Sequence, residues 1–131
     1  MDSTLPYAVT YQTRPAELVH LFQQELEQDF QALLRGDLPD IPEISEYADR
    51  LHVHPTHLSN TLKHETGLSP CDWVNRYFLA EAKRLLLTTT LSIAEISNKL
   101  TFGEPTNFTK YFKRHMGLTP KQLRQQETAQ N

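Results

Sequence analysis

Residues Ile44–Pro70 and Ile93–Pro120 are two versions of one segment. With one residue inserted in the turn of the second copy, nine positions are identical: Ile44/Ile93, Glu46/Glu95, Leu51/Leu100, Pro55/Pro105, Thr56/Thr106, Lys63/Lys113, Gly67/Gly117, Leu68/Leu118 and Pro70/Pro120. Leu58/Phe108, Leu62/Phe112, Ala48/Ser97 and Arg50/Lys99 agree in kind. Self-similarity at a fixed offset marks a duplicated supersecondary unit. A chain of 131 residues, one domain by length, must therefore be built around two similar modules.

Each copy spells a short helix, a tight turn and a second helix. Ile44, Ala48 and Leu51 share one face of the first helix, and Leu58 and Leu62 one face of the second. The small residues Ala48 and Ser97 let the paired helices cross closely. Pro55 and Pro105 suit a first helical position, and Gly67 and Gly117 a helix stop. Elsewhere, Pro15 opens a long helix in which Leu18, Phe22, Leu26, Phe30 and Leu34 form a stripe. Asp40 with Glu43 predicts a capped helix over about Ile41–Leu51. Ser69-Pro70-Cys71-Asp72 caps a linker helix to about Leu87, Ser92–Glu95 is a capping box, and Thr119–Gln122 caps a closing helix. β-branched runs are scarce and no hairpin dipeptide joins two strands.

The expected fold is therefore all-α, two helix-turn-helix modules in tandem, homeodomain-like, joined by a long linker helix. The predicted division is a tail at 1–14, a leading helix and loop at 15–40, and a first module at 41–70. The linker helix follows at 71–91, the second module with its closing helix at 92–125, and a frayed end at 126–131. The 18 residues Pro70–Leu87 span about 27 Å as a helix, enough to hold both modules on one side of a duplex.

Charge is distributed unevenly. The net charge is −3. Residues 1–50 contribute three basic and ten acidic side chains, 3 − 10 = −7; residues 51–131 contribute ten basic and six acidic, 10 − 6 = +4. Such asymmetry points to a nucleic-acid or membrane surface. The second helix of a helix-turn-helix can enter the major groove, where each base pair shows its own donor and acceptor pattern. The outward positions carry side chains suited to reading it. These are Thr56, His57, Ser59, Asn60 and Lys63 in the first copy, and Thr106, Asn107, Thr109, Lys110 and Lys113 in the second. Asn60 and Asn107 can pair bidentately with adenine, and Lys110 suits guanine.

Ser92–Arg124 resembles the signature region of AraC-type transcription regulators, with Phe108-x3-Phe112-Lys113-x3-Gly117-x-Thr119-Pro120 as its most specific part. Tyr47–Pro70 and Glu81–Ser92 resemble the half before it. The resemblance implies a bacterial, cytoplasmic, sequence-specific DNA-binding domain whose recognition helices, about 55–66 and 105–116, enter adjacent major-groove segments of promoter DNA. By position, it makes Thr56, Ser59, Asn60, Thr106, Asn107 and Lys110 the base readers. It gives phosphate contacts to Lys63, Ser69, Lys113, Arg114 and Thr119. RNA polymerase, and a dimerisation or sensor domain outside this chain, are the implied partners. Four departures bear on the site. Thr101 replaces a turn glycine, His54 a serine cap, and Phe78 a linker arginine, while Asn60 stands where arginine is frequent. Without an arginine, the first recognition helix is expected to read more weakly, or more through water, than the second.

Other function classes fit less well. His52, His54, His57, His64 and Cys71 are too irregularly spaced across a turn for a zinc site. No phosphate loop or nucleophile motif suggests an enzyme, and no cofactor is implied. No apolar run approaches the length of a membrane span. The rival reading is a helical protein-interaction module that uses the acidic helix at 15–34 and does not bind DNA specifically.

Overall fold

The computed structural model describes residues 14–130, and side chains as far as Glu127. Seven helices follow in order: α1 Arg14–Arg35, α2 Ile44–Arg50, α3 Pro55–Thr66, α4 Pro70–Thr88, α5 Ile93–Lys99, α6 Pro105–Met116 and α7 Pro120–Gln130. No strand occurs among the described residues. No described helix is long and apolar enough to cross a membrane. Residues 1–13, with the Tyr7–Tyr11 stretch, and Asn131 lie outside the described residues. Arg14, assigned above to the tail, opens α1, and α7 continues through the region expected to fray.

The chain forms two compact units. One holds the described residues up to Ala32 with Ile41–Val74, and the other Leu33–Asp40 with Asn75 onward. In the first unit the α1 stripe is buried at Leu18, Phe22, Leu26 and Phe30. A strict four-residue step drifts around a helix of 3.6 residues per turn, so Leu33, not Leu34, takes the next buried position. Phe22 meets Tyr47 edge-on at 5.3 Å and Trp73 at 6.3 Å. Ala48 is buried at the crossing of α2 and α3, and Leu58 and Leu62 are fully buried beneath α3.

The second unit repeats this plan with larger side chains. Phe108 and Phe112 replace the leucines and are fully buried. Phe102, in the α5–α6 turn, lies 5.4 Å from Phe108 and 6.0 Å from Phe78. Phe78, expected from the family pattern to be polar, is thus a core aromatic of this unit. Ser97, equivalent to Ala48, is buried and donates its hydroxyl to the Glu104 carbonyl at 3.3 Å.

The helix ends correct two expectations. α2 begins at Ile44, three residues later than the Asp40–Glu43 pattern predicts, and Glu43 caps it without a side-chain hydrogen bond. Pro42 explains the delay, since the residue before a proline disfavours the helical region. His54 does not leave α3 uncapped, because its Nδ1 accepts from the Thr56 N–H at 3.1 Å. An imidazole nitrogen here replaces the missing serine hydroxyl.

The two module turns share one geometry. After α2, Val53 N–H donates to the Ala48 carbonyl and His52 N–H to the Asp49 carbonyl. After α5, Phe102 N–H donates to Ser97 and Thr101 N–H to Asn98. Both are Schellman closures, which require a left-handed residue. His52 (φ 60°) and Thr101 (φ 66°) fill that role without being glycine. A β-branched residue tolerates it worst. Thr101→Gly is therefore expected to stabilise the chain by about 1 kcal/mol, and His52→Gly by less. Urea unfolding midpoints measure both; a Thr101→Gly chain no more stable than the parent would show that the turn carries no strain.

Candidate nucleic-acid interface

The recognition helices present matching faces. In α3, Thr56, His57, Asn60 and Lys63 are exposed and Ser59 is half-buried. In α6, Thr106, Asn107, Lys110, Lys113 and Arg114 are exposed, and Thr109, the counterpart of Ser59, is again half-buried. Within each module, the leucines or phenylalanines anchor the opposite side of the helix and fix which residues face outward. The short polar side chains stand near the helix start and the cations towards its end. This is the order in which a helix entering a groove meets base edges and then backbone.

The flanking helix starts at Ser69 and Thr119 carry the reciprocal caps that their sequence predicts. The Ser69 N–H donates to Asp72 Oδ2 at 3.0 Å while Ser69 Oγ accepts from the Asp72 N–H. Thr119 N–H likewise donates to Gln122 Oε1 at 2.8 Å, and Thr119 Oγ1 accepts from the Gln122 N–H. Both backbone donors are occupied by capping boxes. Each hydroxyl, however, keeps its own proton to donate.

Electrostatics separate the two faces. α6 carries Lys110, Lys113 and Arg114 with no acid along its length. α3 carries Lys63 alone, offset by Glu65. α6 is also tightly held in its unit. Tyr111 Oη donates to Asn75 Oδ1 at 2.6 Å, and its ring lies 5.0 Å from Phe102 and 4.7 Å from His115. Burial pushes the Tyr111 phenol up to about 12, against the pull of Arg114, so it remains a hydrogen-bond donor.

Three polar anchors escaped the sequence reading. Arg50, in the last turn of α2, reaches Glu25 at 2.9 Å, Asp29 at 2.8 Å and Glu46 at 2.8 Å, and lies over the Tyr47 ring. Tyr47 Oη donates to the same Asp29 at 2.7 Å; burial first, and then this bond, hold the phenol well above its ordinary range. The acids of the leading helix thus face Arg50 in its own unit, which removes much of the charge that the interaction-module reading required. Asn75 is the second missed anchor. The third is Arg124, whose guanidinium donates to four backbone carbonyls at Leu85, Leu86, Thr89 and Leu91. Among the described residues, no three His, Cys, Asp or Glu side chains lie close enough to hold a metal ion.

Comparison with known proteins places this arrangement. A helix-turn-helix domain family matches residues 47–126. YtdP of Bacillus subtilis (strain 168), described as an uncharacterized HTH-type transcriptional regulator, is 30% identical across 89% of this chain and 14% of its own length. The transcriptional activator RhaS of Yersinia pestis is 30% identical across 71% of this chain and 34% of its own length. Among solved structures, the C-terminal domain of AraT, a response regulator from Geobacillus stearothermophilus, superposes with a TM-score of 0.72 at 28% identity, covering 87% of this chain and 88% of that one. The chain thus spans about a third or less of these two curated relatives. With two matching helix-turn-helix modules in a family of regulators, the chain belongs to the AraC-type helix-turn-helix family and is a DNA-binding domain of a transcription regulator.

Proposed function

We propose that the chain reads a bipartite promoter element, with α3 and α6 each in one of two successive major-groove segments. The carrying observation is the duplicated face: the same helix positions are exposed and polar in both modules, over the same fully buried anchors. Two equivalent reading surfaces suit two half-sites about one helical turn apart. Thr56, Ser59 and Asn60 read the first element and Thr106, Asn107 and Lys110 the second. Lys63, Lys113 and Arg114 hold phosphates, and the Ser69 and Thr119 hydroxyls donate to them. The domain division stays with this reading: modules at 41–70 and 92–125, a linker at 71–91. The domain acts in the bacterial cytoplasm, at promoters, with RNA polymerase as its protein partner and no catalytic step of its own. A longer regulator supplies dimerisation or sensing.

Selection of bound duplexes from a random pool, at low and moderate salt, tests this. Two enriched elements one turn apart are expected, the first weaker than the second. Absence of any salt-sensitive binding would sink the proposal. Lys110→Ala is expected to relax preference at particular base pairs of the second element, costing about 1–3 kcal/mol on the best site. Equal weakening on every duplex would reassign Lys110 to phosphate.

A further inference from the structure

The first recognition helix has no arginine, and its single lysine is offset by Glu65. We infer that Arg14, from the start of α1, supplies this module's missing cation as a phosphate contact beside the first element. The inference rests on the DNA-binding reading.

A cleft in the first unit is lined by Arg14, Pro15, Leu18, Val53 and His57. Leu18 is buried and Val53 half-buried, whereas Arg14, Pro15 and His57 are exposed. His57 belongs to the outward face of α3, directly after Thr56, and is the counterpart of Asn107 in α6. The first residue of α1 therefore lies beside the reading face, although more than forty positions separate the two in sequence.

A duplex seated deeply enough for Thr56 and Asn60 to meet base edges brings a backbone strand along the rim of α3. At that rim, Arg14 can fork onto a phosphate and the exposed His57 can donate a ring N–H. Arg14 is 87% exposed and paired with Glu17, an i,i+3 surface pair that is readily exchanged for a stronger anion. Within the first unit, the other arginine that the structure places near this module, Arg50, is engaged by three carboxylates. Arg14 is thus the arginine available to the first reading face.

The experiment measures affinity of the 131-residue chain for its selected duplex and for an unrelated duplex, over a range of salt. Arg14→Ala is expected to weaken both duplexes alike, roughly fourfold near 0.2 M salt, and to reduce the slope of log affinity against log salt by about 0.9. Glu17→Gln, which frees Arg14, is expected to strengthen both. Lys113→Ala serves as the control. If Lys113→Ala weakens binding and neither Arg14→Ala nor Glu17→Gln has an effect, the inference is wrong and the DNA reading stands. If the parent chain shows no salt-dependent binding, the DNA reading itself fails. A change in base preference with an unaltered slope would overturn the phosphate assignment.

Discussion

Phe112→Ala is expected to cost about 3–5 kcal/mol of stability and to abolish reading of the second element. Phe112 is fully buried beneath α6, 5.9 Å from the Phe108 ring. Truncating it removes both apolar burial and ring contacts, and leaves a cavity that a short helix cannot collapse to fill. A loss of this size rivals the whole stability of a small unit. The thermal midpoint should fall by more than about 10 °C. The equivalent change in the first module, Leu62→Ala, removes a smaller side chain from a matching site and is expected to cost about 2–5 kcal/mol. Phe112→Leu, which copies the first module's residue, should cost less than Phe112→Ala. A midpoint unmoved by Phe112→Ala would mean that α6 faces the other way, and the set of outward residues would have to be redrawn.

What could be read in the sequence was whatever rests on local pattern. The helices expected at about 55–66 and 105–116 are Pro55–Thr66 and Pro105–Met116, because a proline start and a glycine stop are local signals. The outward and inward faces of both recognition helices followed from the spacing of two apolar residues each. The features that escaped were non-local or depended on one side chain's reach. Nothing near Arg50 in the sequence shows that Glu25 and Asp29, on another helix, converge on it. The capping power of His54 was missed because an imidazole is a rarer cap than a hydroxyl. Phe78 departs from the arginine usual in the family, and its place on the apolar side of α4, four residues before Ala82 and seven before Leu85, all three buried, shows that it serves the core.

The two modules also differ in how their polar anchors work, and this bears on the first module's weaker reading. Arg50 and its counterpart Lys99 occupy the same place in the repeat, yet Arg50 is committed to carboxylates within its unit while Lys99 is exposed. In the first unit, the charge of Arg50 is consumed in holding α1 to α2. In the second, aromatic packing and the Tyr111–Asn75 bond hold α6, while Lys110, Lys113 and Arg114 stand exposed on a helix without an acid. A face with three unopposed cations binds a polyanion more tightly than one with a single lysine offset by a glutamate. The order of strength expected of the two elements follows from this division.

Arg124→Ala is the second large effect, about 2–4 kcal/mol, even though the residue lies outside the repeat. The carbonyls at the end of a helix run out of amide partners, and here, among the described residues, only Leu85 is reached from just beyond it, by the Thr89 N–H and hydroxyl. Arg124, on α7, donates to Leu86 at 3.0 Å, Leu85 at 3.4 Å, Thr89 at 3.2 Å and Leu91 at 2.7 Å, closing the end of α4 and the start of the following loop at once. Its positive charge also lies at a helix C-terminus, where the backbone dipole favours it. Removal takes this donor from the Leu86, Thr89 and Leu91 carbonyls, while Leu85 keeps the Thr89 N–H and hydroxyl, and it frees α7 from the end of α4. Lysine should restore only a small part of the loss, because one ammonium cannot match a planar fork that spans four oxygens. Urea unfolding of Arg124→Ala and Arg124→Lys beside the parent chain is the measurement. Full rescue by lysine would mean that charge alone matters there and that the fork geometry does not.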